Sequence, residues 1–352
     1  MGMPPISTAD LDAIVSATAA LWDEMRDQRL FLTGGTGFFG CWLVESFLHA
    51  NRTLGLNASV TVLSRDPGAF LRKLPHLRGQ PGLELFTGDV RDFSFPTAPH
   101  AFVIHAATEA SAQQLAERPH QMLSTILAGT VRTLDFAAQA GTRKLLLTSS
   151  GAVYGTQPPG LLHITEDFTG APDPLLPASV YGEGKRAAEL MCALAANAEL
   201  EVKIARCYAF VGPHLPLTTH FAAGNFLGDA LAGRPIRIAS DGGSQRSYLY
   251  AADLAIWLWT MLFRAPSMRA YNVGSQDAVS IRQLAEAVAA NVNPTTVVEV
   301  ASQPDPARPA HRYIPSTARA RDELGLLQTV PLDEALLRTA AWYRLKSEEI
   351  RP

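Results

Sequence analysis

The sequence predicts an α/β fold, a Rossmann-type doubly wound parallel sheet with a smaller C-terminal substrate lobe. Three observations carry this. Apolar runs of strand length alternate with helix-period segments as far as about residue 206. The first of those strands runs straight into a glycine-rich turn, TGGTGFFG at 33–40, which opens a helix. Beyond residue 207 the alternation gives way to frequent proline and glycine, as in Gly212-Pro213, Gly233, Pro235 and Gly242-Gly243. Continuous apolar strands separated by helices belong to a parallel sheet covered on both faces, in which ligands bind beyond the carboxyl ends of the strands.

In chain order, a helix is expected over residues 8–27, capped by Ser7 or Thr8, with Leu11, Ile14, Val15, Leu21, Trp22 and Met25 at helical spacing. Thr18 interrupts that stripe. Strands are expected at Leu30–Thr33, Val60–Leu63, Leu83–Phe86, Phe102–His105, Leu145–Ser149 and Val202–Arg206. The helices between them are expected at Phe39–Ala50, Gln121–Gln139 and Val180–Ala196, with a last helix near Leu332–Lys346. Trp257 and Trp259 read as helix packing, and the proline-rich Gln303–Pro309 as a loop.

The 352 residues suffice for a large core, and 47% hydrophobic with 18% charged residues describes a globular chain. A net charge of −3 offers no electrostatic case for nucleic acid or an acidic membrane. Cys41, Cys192 and Cys207 stand far apart, with no CxxC pair, so neither a disulfide framework nor a metal site is expected. The N-terminus lacks a basic region followed by an apolar stretch, and no apolar run is long enough to span a bilayer. A cytoplasmic protein is expected.

The turn holds Gly34, Gly37 and Gly40 as G-x-x-G-x-x-G between strand and helix. Glycine allows the tight turn, the approach of backbone N–H groups to a pyrophosphate and the packing of helix on sheet, while the helix N-terminus adds positive charge. Thr33, Gly34, Gly37, Phe38, Phe39 and Gly40 are therefore assigned to a dinucleotide. An acid at the end of the second strand would hold the ribose 2′-hydroxyl of NAD. Ser64 stands there instead, followed by Arg65, a cation for the 2′-phosphate of NADP, and Asp66 one step on keeps NAD open. NADP is the expected cofactor. Asp89 and Val90 after the third strand, and His105, Ala106 and Ala107 after the fourth, border the same ligand.

Tyr181 and Lys185 form Y-x-x-x-K at the start of a helix, a spacing that puts both on one face. Lys185 is expected to lower the phenol's pKa, unperturbed near ~10, so that Tyr181 exchanges protons near neutrality. Ser149 and Ser150 end the fifth strand, where a hydroxyl can bond the reacting oxygen.

This combination resembles the extended short-chain dehydrogenase/reductases, in particular the NAD-dependent epimerase/dehydratase family that modifies nucleotide-diphosphate sugars. The resemblance spans residues 28–346. It rests on TGGTGFFG, GDV at 88–90, HAA at 105–107, SSGAVYG at 149–155, YGEGK at 181–185, RCYAFVGP at 206–213 and DGGSQRSYLYAADLA at 241–255. It implies that Ser150, Tyr181 and Lys185 are catalytic, with Ser150 also bonding the substrate. It further implies that Arg246 and Arg312 clamp a substrate diphosphate, that Asn225 binds a substrate phosphate, and that the chain forms a homodimer through the helices at 121–139 and 180–196. Residues 1–28 are then an N-terminal helical extension, 29–206 the NAD(P)-binding domain with the catalytic residues, and 207–352 mainly the substrate lobe, partly intertwined with it.

The sequence also departs from the family. Dehydratases carry Asp and Glu after the catalytic hydroxyl, where Gly151 and Ala152 stand, and two asparagines of the pattern are Ile126 and Ala209. The implied activity is therefore an epimerase or ketoreductase acting at a sugar carbinol, C4 by resemblance. The alternatives are a 4,6-dehydratase with carboxylates displaced to Glu166 or Glu183, and a redox-sensing module without catalysis. His214 and His220 flank the sugar region and are read as structural.

Overall fold

The structure is a computed structural model that describes residues 2–108, 117–218, 221–303 and 310–348. His220 and residues 304–309 lie outside that set.

Seven parallel strands form the central sheet. Six are β1 (Arg29–Thr33), β2 (Ser59–Ser64), β3 (Leu83–Thr87), β4 (Phe102–His105), β5 (Lys144–Ser150) and β6 (Glu201–Cys207). The seventh, Ala270–Val273, comes from the C-terminal lobe and adds beside β6, pairing Tyr271 with Ala205. From that edge the order is Ala270–Val273, β6, β5, β4, β1, β2, β3. The chain winds outward on one side through β1–β3 and on the other through β4–β6, so the winding reverses between the paired strands β1 and β4, the place where such sheets bind ligands beyond the strand ends. Ala270–Val273 thus extends the sheet by one strand at the β6 edge.

Alternation along β1 divides the core. Leu30 and Leu32 point into one apolar layer, and Phe31 into the other, 4.4 Å between ring centroids from Phe136. The first layer holds Trp22, Trp42, Trp257 and Trp259, all buried. Burying each such side chain is worth roughly 1.5–3 kcal/mol. Trp259 also donates its indole N–H to Ser46 and lies 4.7 Å from Trp22, so the two tryptophans at 257 and 259 pack a helix, as expected.

The N-terminal segment departs from a single helix. It is α-helical over Thr8–Thr18 and then tightens into a 3-10 helix over Ala19–Met25. The break is at Thr18, whose hydroxyl donates to the Ile14 carbonyl and accepts from the Trp22 indole. The segment is part of the core: Trp22 fills it, and buried Asp10 accepts from Tyr250 and pairs with Arg338. Among the described residues no helix is long and apolar enough to cross a membrane, and the three cysteines are buried and free.

Candidate active site

The turn after β1 is built as the glycines suggest, each for its own reason. Gly34 adopts φ +74°, and a Cβ there would lie 2.4 Å from the Ala106 carbonyl. At Gly40 a Cβ would lie 2.3 Å from the Gly34 oxygen, so only glycine lets the helix seat against the turn. Gly37 is the N-cap of the helix Phe38–Leu54, leaving the helix's first N–H groups at the crevice. His105 closes the floor. Its imidazole bonds the Thr33 hydroxyl at 2.8 Å, and burial, reinforced by the charge of Lys185, pulls its pKa down to about 3 and keeps it neutral.

Above this turn opens a cleft of about 1060 Å³. Its lining brings together Gly34, Gly37, Phe38, Phe39 and Ala106 with Ser149, Ser150, Tyr181 and Lys185, and with Arg246, Tyr248 and Tyr313 from the C-terminal part of the chain. The crevice therefore fits a dinucleotide by its close-approach glycines, its helix N-terminus and a buried lysine at its centre.

Lys185 is anchored twice. Its ammonium donates to the Thr108 hydroxyl and to the Thr148 carbonyl, each at 2.8 Å. Burial pulls its pKa down to about 8. Tyr181 differs from expectation: burial pushes its phenol up to about 12, and the opposing influence is a hydrogen bond from Ser150 rather than Lys185. The lysine lies 6.0 Å from the centre of the tyrosine ring and spends its donors on Thr108 and Thr148. Ser150 Oγ accepts from the Ala152 N–H at 3.1 Å and lies 3.3 Å from the Tyr313 hydroxyl. Ser149 instead donates to Glu189, which binds Arg206 through both carboxylate oxygens.

The remaining expected residues distribute unevenly. Arg246 lines the cleft, its guanidinium 5.7 Å from the Tyr313 ring centroid. The carboxylates near it in sequence are engaged elsewhere: Asp253 accepts from Thr329 and Val330, and Asp241 from the Gly243 N–H. Arg312 is not among the lining residues. It precedes Tyr313 on a short strand paired with Gln245–Arg246, and neighbouring strand residues face opposite ways. Asn225, on the helix Ala222–Leu231, also lies outside the lining set, although Ala222 and Ala223 belong to it. So do Ser64, Arg65, Asp89 and Val90. Ser64 is buried and accepts from the Asp66 N–H, while Asp66 caps the helix Pro67–Lys73. Asp89 is held below the usual carboxylate range by hydrogen bonds from Arg91, with Arg65 adding its charge. Val90 packs against Gly129.

Neither displaced carboxylate reaches the cleft. Glu166 accepts from the Asn272 N–H and faces Arg319, and Glu183 pairs with Arg186. His214 is buried against Glu45 and Trp342, away from the cleft. Among the described residues no group of three or more His, Cys, Asp or Glu is placed to hold a metal. Sequence reasoning missed Thr108, Thr148, Tyr208 and Tyr313. The signal for Tyr208 was present, since RCYAFVGP puts it one step beyond a strand end.

A model of the NAD-dependent epimerase/dehydratase family matches residues 30–274. The chain belongs to that family. Among curated relatives, UDP-glucuronic acid decarboxylase 1 of Xenopus tropicalis is 29% identical over 328 residues, covering 92% of this chain and 74% of its own. The enzyme of the same name from Arabidopsis thaliana is 29% identical over 318 residues, covering 90% and 70%. Among solved structures, the UDP-glucose 4-epimerase of Thermus thermophilus in complex with NAD superposes with a TM-score of 0.72 at 26% identity, covering 90% of this chain and 99% of its own. The dTDP-glucose 4,6-dehydratase DesIV of Streptomyces venezuelae, with NAD and TYD bound, superposes at 0.76 with 23% identity, covering 91% and 98%. The epimerase/dehydratase fold is thus shared over 90–91% of this chain, and the chain is an enzyme of the extended short-chain dehydrogenase type.

Proposed function

We propose that this epimerase/dehydratase family member oxidises a ring carbinol, C4 of the sugar, in a nucleotide-diphosphate sugar, and completes the reaction as an epimerase or ketoreductase. The observation that carries the reading is one cleft lined by Ser150, Tyr181, Lys185 and Arg246, with no carboxylate at Gly151 or Ala152. Tyr181 takes the carbinol proton and Ser150 bonds the same oxygen. Lys185, held by Thr108 and Thr148, would help to hold the dinucleotide. An oxidised nicotinamide bound here would supply the hydride acceptor. Arg246 orients the substrate from the diphosphate end, a paired-donor contact suited to phosphate oxygens.

A second reading is decarboxylation, favoured by the decarboxylase relatives. A ketone at C4 of a uronic acid lies β to the carboxylate, and a β-keto acid loses carbon dioxide without an acid to expel a leaving group. Elimination of water needs such a group, and the positions that supply it in dehydratases are Gly151 and Ala152 here. Mass spectrometry of a panel of nucleotide sugars, UDP-glucuronate included, separates the outcomes. Unchanged mass with a new isomer marks epimerisation, gain of two hydrogens with consumption of reduced cofactor marks ketone reduction, loss of carbon dioxide marks decarboxylation, and loss of water marks the dehydratase. No turnover of any sugar nucleotide would refute the reading and leave a redox-sensing role.

The finer cofactor reading is NADP. It is supported by the absence of an acid at Ser64, by exposed Arg65 and by the use of Asp66 as a helix cap. A homodimer is the proposed assembly. The helices Pro119–Gln139 and Val180–Ala195 leave Val131, Leu190 and Leu194 exposed, Leu194 by 80%, where a second copy would cover them. Light scattering at micromolar concentration should give twice the monomer mass; a monomer mass would refute it.

A further inference from the structure

Resting on the proposed oxidation, we propose that Tyr313 is a positioning residue for that step: its phenol donates to Ser150 Oγ and so aims the single Ser150 proton at Tyr181 and the reacting substrate oxygen. Serine has one proton to give and two lone pairs to accept with. One lone pair is taken by the Ala152 N–H at 3.1 Å. The Tyr313 hydroxyl lies 3.3 Å away on another side. Of a phenol and an alkyl hydroxyl the phenol is the more acidic, hence the better donor, so Tyr313 fills the second acceptor site. The Ser150 proton then has only Tyr181 or a substrate oxygen to meet.

The geometry at Tyr313 is held from several directions. Its ring packs at a tilt against Tyr208 with 4.5 Å between centroids. The strand Arg312–Tyr313 pairs with Gln245–Arg246, setting Tyr313 opposite Arg246. The next residue, Ile314, donates its N–H to the Gln157 side chain at 2.9 Å and accepts from the Ile164 N–H at 3.0 Å. Tyr313 therefore touches both ends of the substrate site, with the Arg246 guanidinium over its ring and Ser150 at its hydroxyl. Seating a diphosphate on Arg246 and aligning Ser150 become one arrangement of side chains.

A double-mutant cycle in the whole enzyme tests this, with turnover of the sugar nucleotide found by the mass-spectrometric panel. Tyr313→Phe keeps the ring and its packing and removes only the donor. It should lower kcat about 3- to 10-fold, the range of one hydrogen bond, with KM and cofactor affinity within about twofold of wild type. In a Ser150→Ala background the same substitution should cost nothing further, because Tyr313 acts through Ser150. An equal loss in both backgrounds, no loss at all, or an effect carried by KM alone overturns the assignment. Tyr181→Phe run alongside separates the two levels. Wild-type turnover in that variant removes the proposed mechanism itself, whereas a dead Tyr181→Phe with an unaffected Tyr313→Phe removes only the role of Tyr313.

Discussion

The ring of Tyr208 lies so close over Gly151 that a Cβ on residue 151 would meet the phenol's Cζ at 2.5 Å. Tyr208 thus occupies the space that the first acid of a dehydratase would need, and it is braced there by Tyr313. Its own buried hydroxyl has no hydrogen-bond partner among the described residues. Gly151→Ala should therefore destabilise the fold by about 1–3 kcal/mol, the usual cost of overpacking, read as a lower urea midpoint. In a Tyr208→Ala background the penalty should largely vanish. An additive cost would show that the Tyr208 ring is not what excludes a side chain at 151.

Tyr181→Phe should leave cofactor binding intact and reduce kcat by roughly 10²-fold or more, as loss of a general acid–base group does. The pH dependence follows from the direction of the shift. Burial raises the Tyr181 phenol and the hydrogen bond from Ser150 opposes it. Oxidation needs the phenolate, so its rate should climb as pH rises through the base's pKa, and Ser150→Ala should move that ascending limb to higher pH. An unmoved limb would mean that Ser150 does not stabilise the phenolate.

Cofactor choice should turn on Arg65. NADP(H) is expected to bind more tightly than NAD(H), and Arg65→Ala should weaken NADP alone, by about 1–3 kcal/mol for a lost charge-assisted bond. Calorimetric titration of both dinucleotides decides this. Tighter NAD binding by the wild type would return the site to the family's commoner cofactor.

The two arginines should behave differently. Arg246→Ala is expected to raise KM for the sugar nucleotide at least tenfold while leaving dinucleotide affinity unchanged, since a lost contact to a charged group costs about 1.5–3 kcal/mol. Arg312, outside the lining of the cleft, should give a much smaller KM change. Equal effects would restore a two-arginine clamp. A free sugar, lacking the diphosphate, should be a poor substrate in either case, because remote binding energy orients the ring.

The sequence by itself determined the β-α alternation, the turn at Gly34 and Gly40, and the placing of Tyr181 and Lys185 one helical turn apart on the helix Val180–Ala195. These are local matters: period-two and period-3.6 burial, a positive φ, and a four-residue helical repeat are written within short stretches of chain. Tertiary structure alone decided the rest. The strand Ala270–Val273 is a short run of four residues in a stretch of irregular signals, and it becomes part of the sheet because it pairs along the edge of β6. Arg246 enters the cleft and Arg312 does not because strand pairing fixes which face each presents. The Tyr181 phenol is raised because burial outweighs the polar groups around it, and burial is a property of everything packed nearby. Tyr313 meets Ser150 across 163 residues of sequence, a separation that no local pattern encodes and that only tertiary packing brings within hydrogen-bond reach.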